Sequence, residues 1–142
     1  MNNTILLVED NPSDIKLTKR AFQQSNLTND LQVATDGAAA LDYLFSKVGD
    51  EYENPLPVLV LLDIKLPKID GLEVLERIRS EERTELTPVV ILTSSKEQED
   101  MVRSYRLGAN SYIRKPVDFK QFVESVQQLG LYWLVLNQTP LK

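Results

Sequence analysis

The chain has 142 residues, of which 42% are hydrophobic and 26% charged, a composition that predicts one globular domain over residues 1–142. Its formal charge of −5 argues against nucleic acid or an anionic membrane as a direct partner, because both bind proteins with an excess of Lys and Arg. The sequence contains neither Cys nor His, which excludes disulfides, thiol chemistry, His-based acid–base catalysis and the usual zinc sites.

Strands and helices are predicted to alternate along the chain. After a first strand at Ile5–Val8, Asn11 offers a helix N-cap, Pro12 suits the first helical position, and Asp14 is an acid at the third. The other predicted strands are Leu31–Ala34, Val58–Leu62, Val89–Leu92 and the shorter Ser111–Ile113. The third and fourth strands are almost purely apolar, which is typical of strands covered on both faces.

The remaining helices are predicted from apolar residues at helical spacing. They are Ala38–Lys47, Leu72–Ile78, a helix over Met101–Leu107 that Gly108 ends, and a helix that begins at Asp118. Their apolar positions are Leu41, Leu44 and Phe45; Leu72, Leu75 and Ile78; Met101, Val102, Tyr105 and Leu107; and Phe119, Phe122, Val123 and Val126. Residues 50–57 are predicted to form a loop that leads into the third strand.

Strict alternation of five strands with five helices predicts an α/β fold, because right-handed crossovers place helices on both faces of a parallel sheet. We expect a doubly wound, flavodoxin-like (βα)5 domain with the strand order 2-1-3-4-5. Ligands of such sheets bind at the carboxyl ends of the strands, where the strand order reverses. Here that point lies between the first and third strands.

Polar residues follow four of the predicted strands. The first strand ends in Glu9 and Asp10, the third in Asp63, the fourth in Thr93 and the fifth in Lys115. Three carboxylates at one edge repel one another unless a cation lies among them, and a hard divalent ion such as Mg²⁺ fits best. With an ammonium group and a hydroxyl in the same cavity, such a site stabilises a transferring phosphoryl group while one carboxylate attacks it.

Each of these residues also has an ordinary structural interpretation. Asp14 favours the positive end of the first helix, and we prefer that interpretation for it. Glu9 alone suits a solvated acid, Asp63 a turn cap, Thr93 a strand end, and Lys115 an exposed surface. Their joint placement at separate strand ends is what indicates a functional site.

Five segments now identify a family that the chain resembles over nearly its whole length. They are Leu6–Asn11, Leu61–Pro67, Asp70–Gly71, Val90–Ser94 and Tyr112–Val117. Together they resemble the bacterial response-regulator receiver family of two-component phosphorelays. The resemblance implies that Asp63 is the phosphoacceptor, that Glu9 and Asp10 form the acidic pair, and that Lys115 binds the phosphoryl group.

The same resemblance assigns the metal ligands and the switch residues. Asp10, Asp63 and the backbone carbonyl of Lys65 would hold Mg²⁺, with Glu9 bound through water. Thr93 would be the switch hydroxyl and Tyr112 the aromatic switch residue, although Tyr112 also fits an ordinary half-buried strand tyrosine. Family members have a cis peptide bond where this chain has Lys115 followed by Pro116, an isomer that the sequence itself does not fix.

A narrower resemblance implies a class of partner. Arg103–Tyr105, Gly108–Asn110, Lys115–Asp118 and Tyr132–Leu134 are similar to segments of single-domain regulators that serve bacterial phytochrome kinases. The implied partner is a sensor histidine kinase, in the narrower case a phytochrome, and the implied role is a phosphoacceptor switch rather than an enzyme.

Other functions fit the sequence less well. A flavodoxin-type FMN binder would place the cofactor phosphate against Glu9 and Asp10, which would repel it, and the glycines are too far apart for a P-loop. A haloacid dehalogenase enzyme needs a second Asp two residues after its nucleophile, where this chain has Lys65. An interaction module without phosphorylation is disfavoured because every expected site residue is present.

The C-terminal segment predicts self-association. Beyond Pro116 the sequence leaves room for one helix and a short tail, so we expect no output domain. The run Leu131–Leu136 is apolar all round, more than one helical face can hide against one domain, and a homodimer is the economical way to cover it. The alternative is that this run folds back over its own domain. No apolar stretch reaches the roughly 20 residues of a membrane span, and we expect a cytoplasmic protein.

Overall fold

The computed structural model describes residues 4–24, 29–115 and 118–129. A five-stranded sheet consists of β1 (Ile5–Val8), β2 (Leu31–Ala34), β3 (Leu59–Leu62), β4 (Val89–Thr93) and β5 (Ser111–Arg114). The helices are α1 (Pro12–Gln24), α2 (Gly37–Phe45), α3 (Gly71–Ser80), α4 (Gln98–Arg106) and α5 (Phe119–Leu129). Two further two-residue strands, Lys47–Val48 and Glu51–Tyr52, form a separate hairpin.

All neighbouring strands of the main sheet are parallel, in the order β2-β1-β3-β4-β5. Ile5 pairs with Leu31 on one side and with Leu59 on the other, so these three strands start level with one another. The order reverses between β1 and β3, as predicted. The flavodoxin-like fold expected from the sequence is therefore confirmed.

Two apolar clusters cover the two faces of the sheet. One contains α2 and α3 residues such as Leu44 and Leu75, and the other contains α1 and α5 residues such as Phe22 and Phe122. Every residue of β1, β3 and β4 is buried, because both of their faces lie against these clusters. The three buried central strands thus end at the edge of the sheet where the predicted site residues lie.

The hairpin was not predicted. The expected helix Ala38–Lys47 ends at Phe45, and the expected loop contributes Glu51–Tyr52, which pairs antiparallel with Lys47–Val48. Gly49 makes the turn possible because its φ of 64° lies in the left-handed region that glycine adopts most readily. Arg83 holds the hairpin in place, with its guanidinium 3.9 Å from the Tyr52 ring centroid.

The buried side of α4 also differs from the prediction. Its buried residues are Asp100 and Ser104, whereas Val102 and Tyr105, two of the apolar positions from which this helix was predicted, are exposed. The polar pair is satisfied internally, since the Ser104 hydroxyl donates to the Asp100 carbonyl at 2.7 Å. Gly108 follows the helix with a φ of 100°, which confirms its predicted role as the residue that ends α4.

Arg79 connects α3 to the segments on either side of β4. Its guanidinium donates to the carbonyl of Gly108 at 2.8 and 2.9 Å, to that of Thr87 at 2.7 Å and to the side-chain oxygen of Asn110 at 2.9 Å. The same Asn110 oxygen accepts the N–H of Val89 at 2.8 Å. A single half-buried side chain therefore fixes where β4 begins.

In the described part of the chain, no helix is both long enough and apolar enough to cross a bilayer. The predictions about the Lys115 to Pro116 peptide bond, the Phe119 side chain and the run Leu131–Leu136 fall outside the described residues.

Candidate functional site

The ends of β1 and β3 bring two buried acids together. The N–H of Asp63 donates to the carbonyl of Val8 at 3.0 Å, so the parallel ladder places Glu9 and Asp63 side by side. Glu9 and Asp63 are buried, and Asp10 is exposed next to them. The register of the sheet is thus sufficient to assemble the acidic pair and the predicted phosphoacceptor.

Carboxylate oxygens from Glu9, Asp10 and Asp63 all lie within 4.8 Å of one another. Such oxygen atoms are the ligands that Mg²⁺ prefers, and their mutual repulsion is relieved when a cation lies among them. The three acids that the sequence predicted to meet do meet, and their donor set fits a hard divalent cation.

The Lys115 ammonium lies against the same acids. Its Nζ atom is 2.5 Å from Glu9 Oε1, 2.9 Å from Asp14 Oδ2 and 3.7 Å from Asp63 Oδ2. Burial alone would lower the pKa of Lys115, but hydrogen bonds to Glu9 and Asp14 outweigh it, so the pKa is raised. The lysine therefore stays charged near neutral pH and offsets one of the buried carboxylates.

The buried Glu9 carboxyl has a raised pKa. Burial raises the pKa of Glu9 from 4.5 to about 7, the neighbouring charge of Asp63 adds to the rise, and the hydrogen bond from Lys115 opposes it. The backbone N–H of Asn11 also donates to Glu9, at 3.2 Å. Near neutral pH and without a cation, Glu9 is thus close to the point at which it gains or loses its proton.

The loop after β3 is packed tightly against the start of α3. A Cβ atom on Gly71 would lie 2.0 Å from the Asp63 carbonyl oxygen, so only glycine permits this approach. The Gly71 N–H donates to the Ile64 carbonyl at 2.8 Å, and the Lys65 N–H lies 3.3 Å from Asp63 Oδ1. Gly71 is therefore part of what positions the Asp63 backbone, while the Lys65 carbonyl remains a predicted metal ligand.

Thr93 is fully buried at the end of β4. Its Oγ1 accepts the N–H of Ser95 at 3.3 Å, and its carbonyl accepts the N–H of Lys115 at 2.6 Å. The predicted switch residue and the predicted phosphoryl-binding lysine are consequently joined through one backbone hydrogen bond at the same edge of the sheet.

Tyr112 lies on β5, opposite Ile91, and packs at the margin of the cluster formed with α2 and α3. Its hydroxyl is buried and makes no hydrogen bond within the described residues. Burial raises the pKa of Tyr112, and the nearby Ser95 side chain partly offsets that rise. The role of Tyr112 as a switch residue stays a prediction.

Sequence reasoning missed two acids near the site. Asp14 contacts Lys115, although the sequence assigned it only to the start of α1. Asp100 is buried, accepts the Ser95 hydroxyl at 2.6 Å, and lies 3.6 Å from the ammonium of Lys65. For Asp100 the only available signal was its place in the first turn of α4, which by itself indicates a helix start.

Comparison with known proteins gives one family. Residues 5–127 match the family described as response regulator receiver domain. The probable methanogenesis regulatory protein FilR2 of Methanothrix harundinacea (strain 6Ac) is 43% identical over 136 residues, which cover 96% of this chain and 86% of FilR2. Response regulator Rcp1 of Synechocystis sp. (strain ATCC 27184 / PCC 6803 / Kazusa) is 40% identical over 131 residues, which cover 92% of this chain and 88% of Rcp1.

Solved structures agree with this match. The phosphorylated cyanobacterial phytochrome response regulator RcpA superposes with a TM-score of 0.90 at 35% identity, over 99% of this chain and 100% of RcpA. The Mn²⁺-bound form of Rcp1 superposes with a TM-score of 0.86 at 36% identity, over 98% of this chain and 99% of Rcp1. The similarity therefore extends over the whole described fold and includes the edge that carries the acids.

Proposed function

We propose that this chain, which belongs to the response regulator receiver domain family, accepts a phosphoryl group from a sensor histidine kinase onto Asp63 and acts as a phosphorelay switch. One observation carries the proposal. The buried Asp63 carboxylate lies within 4.8 Å of two further acids and 3.7 Å from the Lys115 ammonium. A carboxylate in such a setting is a nucleophile surrounded by the charges that phosphoryl transfer requires.

The proposed transfer replaces one bond to phosphorus with another. An Asp63 carboxylate oxygen attacks the phosphorus of the kinase phosphohistidine, and a P–O bond forms as the P–N bond breaks. The electron pair of the broken bond goes to the imidazole, which takes up one proton and leaves neutral. The Lys115 ammonium would then donate to an oxygen of the new aspartyl phosphate.

The acids support this step with a divalent cation. Asp10, Asp63 and the Lys65 carbonyl would hold Mg²⁺, with Glu9 bound through water. When bound, the ion neutralises part of the charge on the phosphoryl oxygens. The Mn²⁺-bound form of Rcp1 supports this assignment, since that relative binds a divalent cation.

Thr93 and Tyr112 would transmit the modification. The phosphoryl group adds roughly −1.5 to −2 charges and three acceptor oxygens. We infer that the Thr93 hydroxyl turns toward it and that the unsatisfied Tyr112 hydroxyl responds, which reshapes the surface of α4, β5 and α5.

A switch fits the site better than a phosphatase of the haloacid dehalogenase type. Such an enzyme needs an acid where this chain has Lys65. The Lys65 side chain is largely exposed and extends toward Asp100. Repeated hydrolysis of an added phosphoester by the purified chain would contradict the switch and favour an enzyme.

The proposed kinase is of the phytochrome type. RcpA, a phytochrome response regulator, superposes over 99% of this chain and 100% of its own, whereas FilR2 is described as a probable methanogenesis regulatory protein. Phosphotransfer from a purified phytochrome histidine kinase should be faster than from other histidine kinases of the same source. Equal rates would leave the receiver function intact and remove the phytochrome assignment.

Asp63→Asn tests the central proposal. Acetyl phosphate with Mg²⁺ should label the wild type, borohydride reduction should trap the acyl phosphate, and mass spectrometry should locate it at Asp63. Asp42→Asn, which removes an exposed acid of α2, is the matched control and should be labelled normally. Wild-type labelling of Asp63→Asn would show that the phosphoacceptor is misassigned.

The single-domain organisation and the homodimer stay proposals. The apolar run Leu131–Leu136 supports the dimer, and sedimentation of the full chain with and without phosphodonor measures it directly. A chain that remains monomeric well above micromolar concentration in both conditions would leave that run to another partner.

A further inference from the structure

Asp14 belongs to the first turn of α1, yet its side chain reaches the proposed site. The Asn11 side-chain oxygen accepts the N–H groups of Ser13 at 2.9 Å and of Asp14 at 3.2 Å, which fixes the start of the helix. From there Asp14 Oδ2 lies 2.9 Å from the Lys115 Nζ, and the Asp14 side chain is 33% exposed. An acid that suits a helix start thus also binds a buried lysine that follows it by 101 residues.

The Lys115 ammonium has three N–H groups, and two of them donate to carboxylates. One N–H group goes to Glu9 at 2.5 Å and another to Asp14 at 2.9 Å. Asp63 Oδ2, at 3.7 Å, lies beyond hydrogen-bond distance. The ammonium is therefore held by the β1 and α1 acids and stays short of the proposed phosphoacceptor.

We propose that Asp14 is a positioning residue that holds the Lys115 ammonium toward α1 and competes with the phosphoryl group for it. The inference rests on the proposed function, because it requires a phosphoryl group on Asp63 for Lys115 to bind. The group supplies three acceptor oxygens on the Asp63 side of the ammonium. Moving the ammonium toward them lengthens its 2.9 Å contact with Asp14. Asp14 thereby weakens the phosphorylated state relative to the unphosphorylated one.

Beryllofluoride, which stands in for the phosphoryl group on an Asp carboxylate, measures this competition at equilibrium. In the presence of Mg²⁺ we expect Asp14→Asn to bind beryllofluoride about 5-fold more tightly than the wild type. That size corresponds to a charge-assisted hydrogen bond weakened by partial exposure. Asp14→Glu restores the charge and should return the affinity toward the wild-type value.

A double-mutant cycle separates positioning of the lysine from simple removal of charge. If Asp14 acts through Lys115, Asp14→Asn should not change the beryllofluoride affinity in a Lys115→Met background. A salt series gives the same distinction should Lys115→Met fail to fold. The gain from a lost direct contact should persist at about 1 M salt, where the screening length is only about 3 Å.

The outcomes distinguish the inference from the function on which it rests. A wild type that binds no beryllofluoride and is not labelled by acetyl phosphate would overturn the proposed function. A wild type that binds it, with unchanged affinity in Asp14→Asn, would overturn the positioning role alone. So would an equal gain in the Lys115→Met background, or a gain that disappears at high salt.

Discussion

Gly71→Ala offers a direct test of how the fold positions Asp63, the proposed phosphoacceptor. The added Cβ would lie 2.0 Å from the Asp63 carbonyl oxygen and 2.7 Å from the Ile64 Cα. A comfortable carbon–oxygen contact is about 3.3 Å, so the start of α3 and the Asp63 backbone would have to separate by about 1 Å. The hydrogen bond from the Gly71 N–H to the Ile64 carbonyl, now 2.8 Å, would lengthen with them.

This displacement should affect both stability and chemistry. Overpacking of this kind costs about 1–3 kcal/mol, which corresponds to a decrease of roughly 3–10 °C in Tm for a domain of this size. A misplacement of about 1 Å at a reacting group costs on the order of 100-fold in rate. We therefore expect Gly71→Ala to fold, to melt earlier, and to be labelled by acetyl phosphate about 100-fold more slowly.

Gly37→Ala is the matched control, because its Cβ would lie equally close, 2.0 Å, to the Ile69 carbonyl oxygen. Both variants should lower the Tm, measured by calorimetry, but Gly37→Ala should retain most of the labelling rate at a temperature where both are folded. Wild-type labelling by Gly71→Ala would refute the argument that this close approach positions Asp63. Equal slowing by the two variants would instead assign the effect to general disturbance of the loop.

Three further predictions follow from the site and its supports. In the metal-free protein, the free energy of unfolding should fall as pH rises from 4.5 to about 7, because folded Glu9 keeps a proton that the unfolded chain has lost. The full loss of unfolding free energy is about 3–4 kcal/mol at about 1.4 kcal/mol per pKa unit. Glu9→Gln should flatten this part of the pH profile in urea titrations. Arg79→Lys should lower the free energy of unfolding by about 3 kcal/mol in the same titrations, because a lysine cannot replace the forked hydrogen bonds of the guanidinium. The exposed control Arg77→Lys should change it by no more than about 0.5 kcal/mol. Thr93→Ala should still accept phosphate yet leave the amide chemical shifts around Tyr112 nearly unchanged on phosphorylation; equal responses in mutant and wild type would contradict the proposed switch.

The sequence predicted the parts of the fold that depend on burial of apolar side chains. β1 and β2 have the predicted bounds, and β3 and β4 differ from theirs by one residue at one end. Runs such as Leu59–Leu62 are apolar because both faces are covered, so their composition reports their position directly. The residues that follow the strands then assembled Glu9, Asp10 and Asp63 at one edge, since parallel strands end together.

The remaining features depend on polar contacts or on very short elements. Asp100 and Ser104 occupy the inner side of α4 because hydrogen bonds satisfy them there, an arrangement that hydrophobic periodicity does not detect. The contact of Asp14 with Lys115 joins residues 101 positions apart, and no local pattern encodes such a distance. The strands Lys47–Val48 and Glu51–Tyr52 are too short to show a period of two.

The hairpin lies at the end of the sheet opposite the acidic site. It connects α2 to β3 near the amino ends of the strands, where the Val58 N–H donates to the Thr4 carbonyl at 2.8 Å, whereas the acids lie beyond the carboxyl ends. At its tip Val48 is 69% exposed, and an added atom on Gly49 would meet nothing within 4 Å. A fluorophore or a short reporter peptide inserted between Gly49 and Asp50 would therefore lie at the opposite end of the strands from the acidic site.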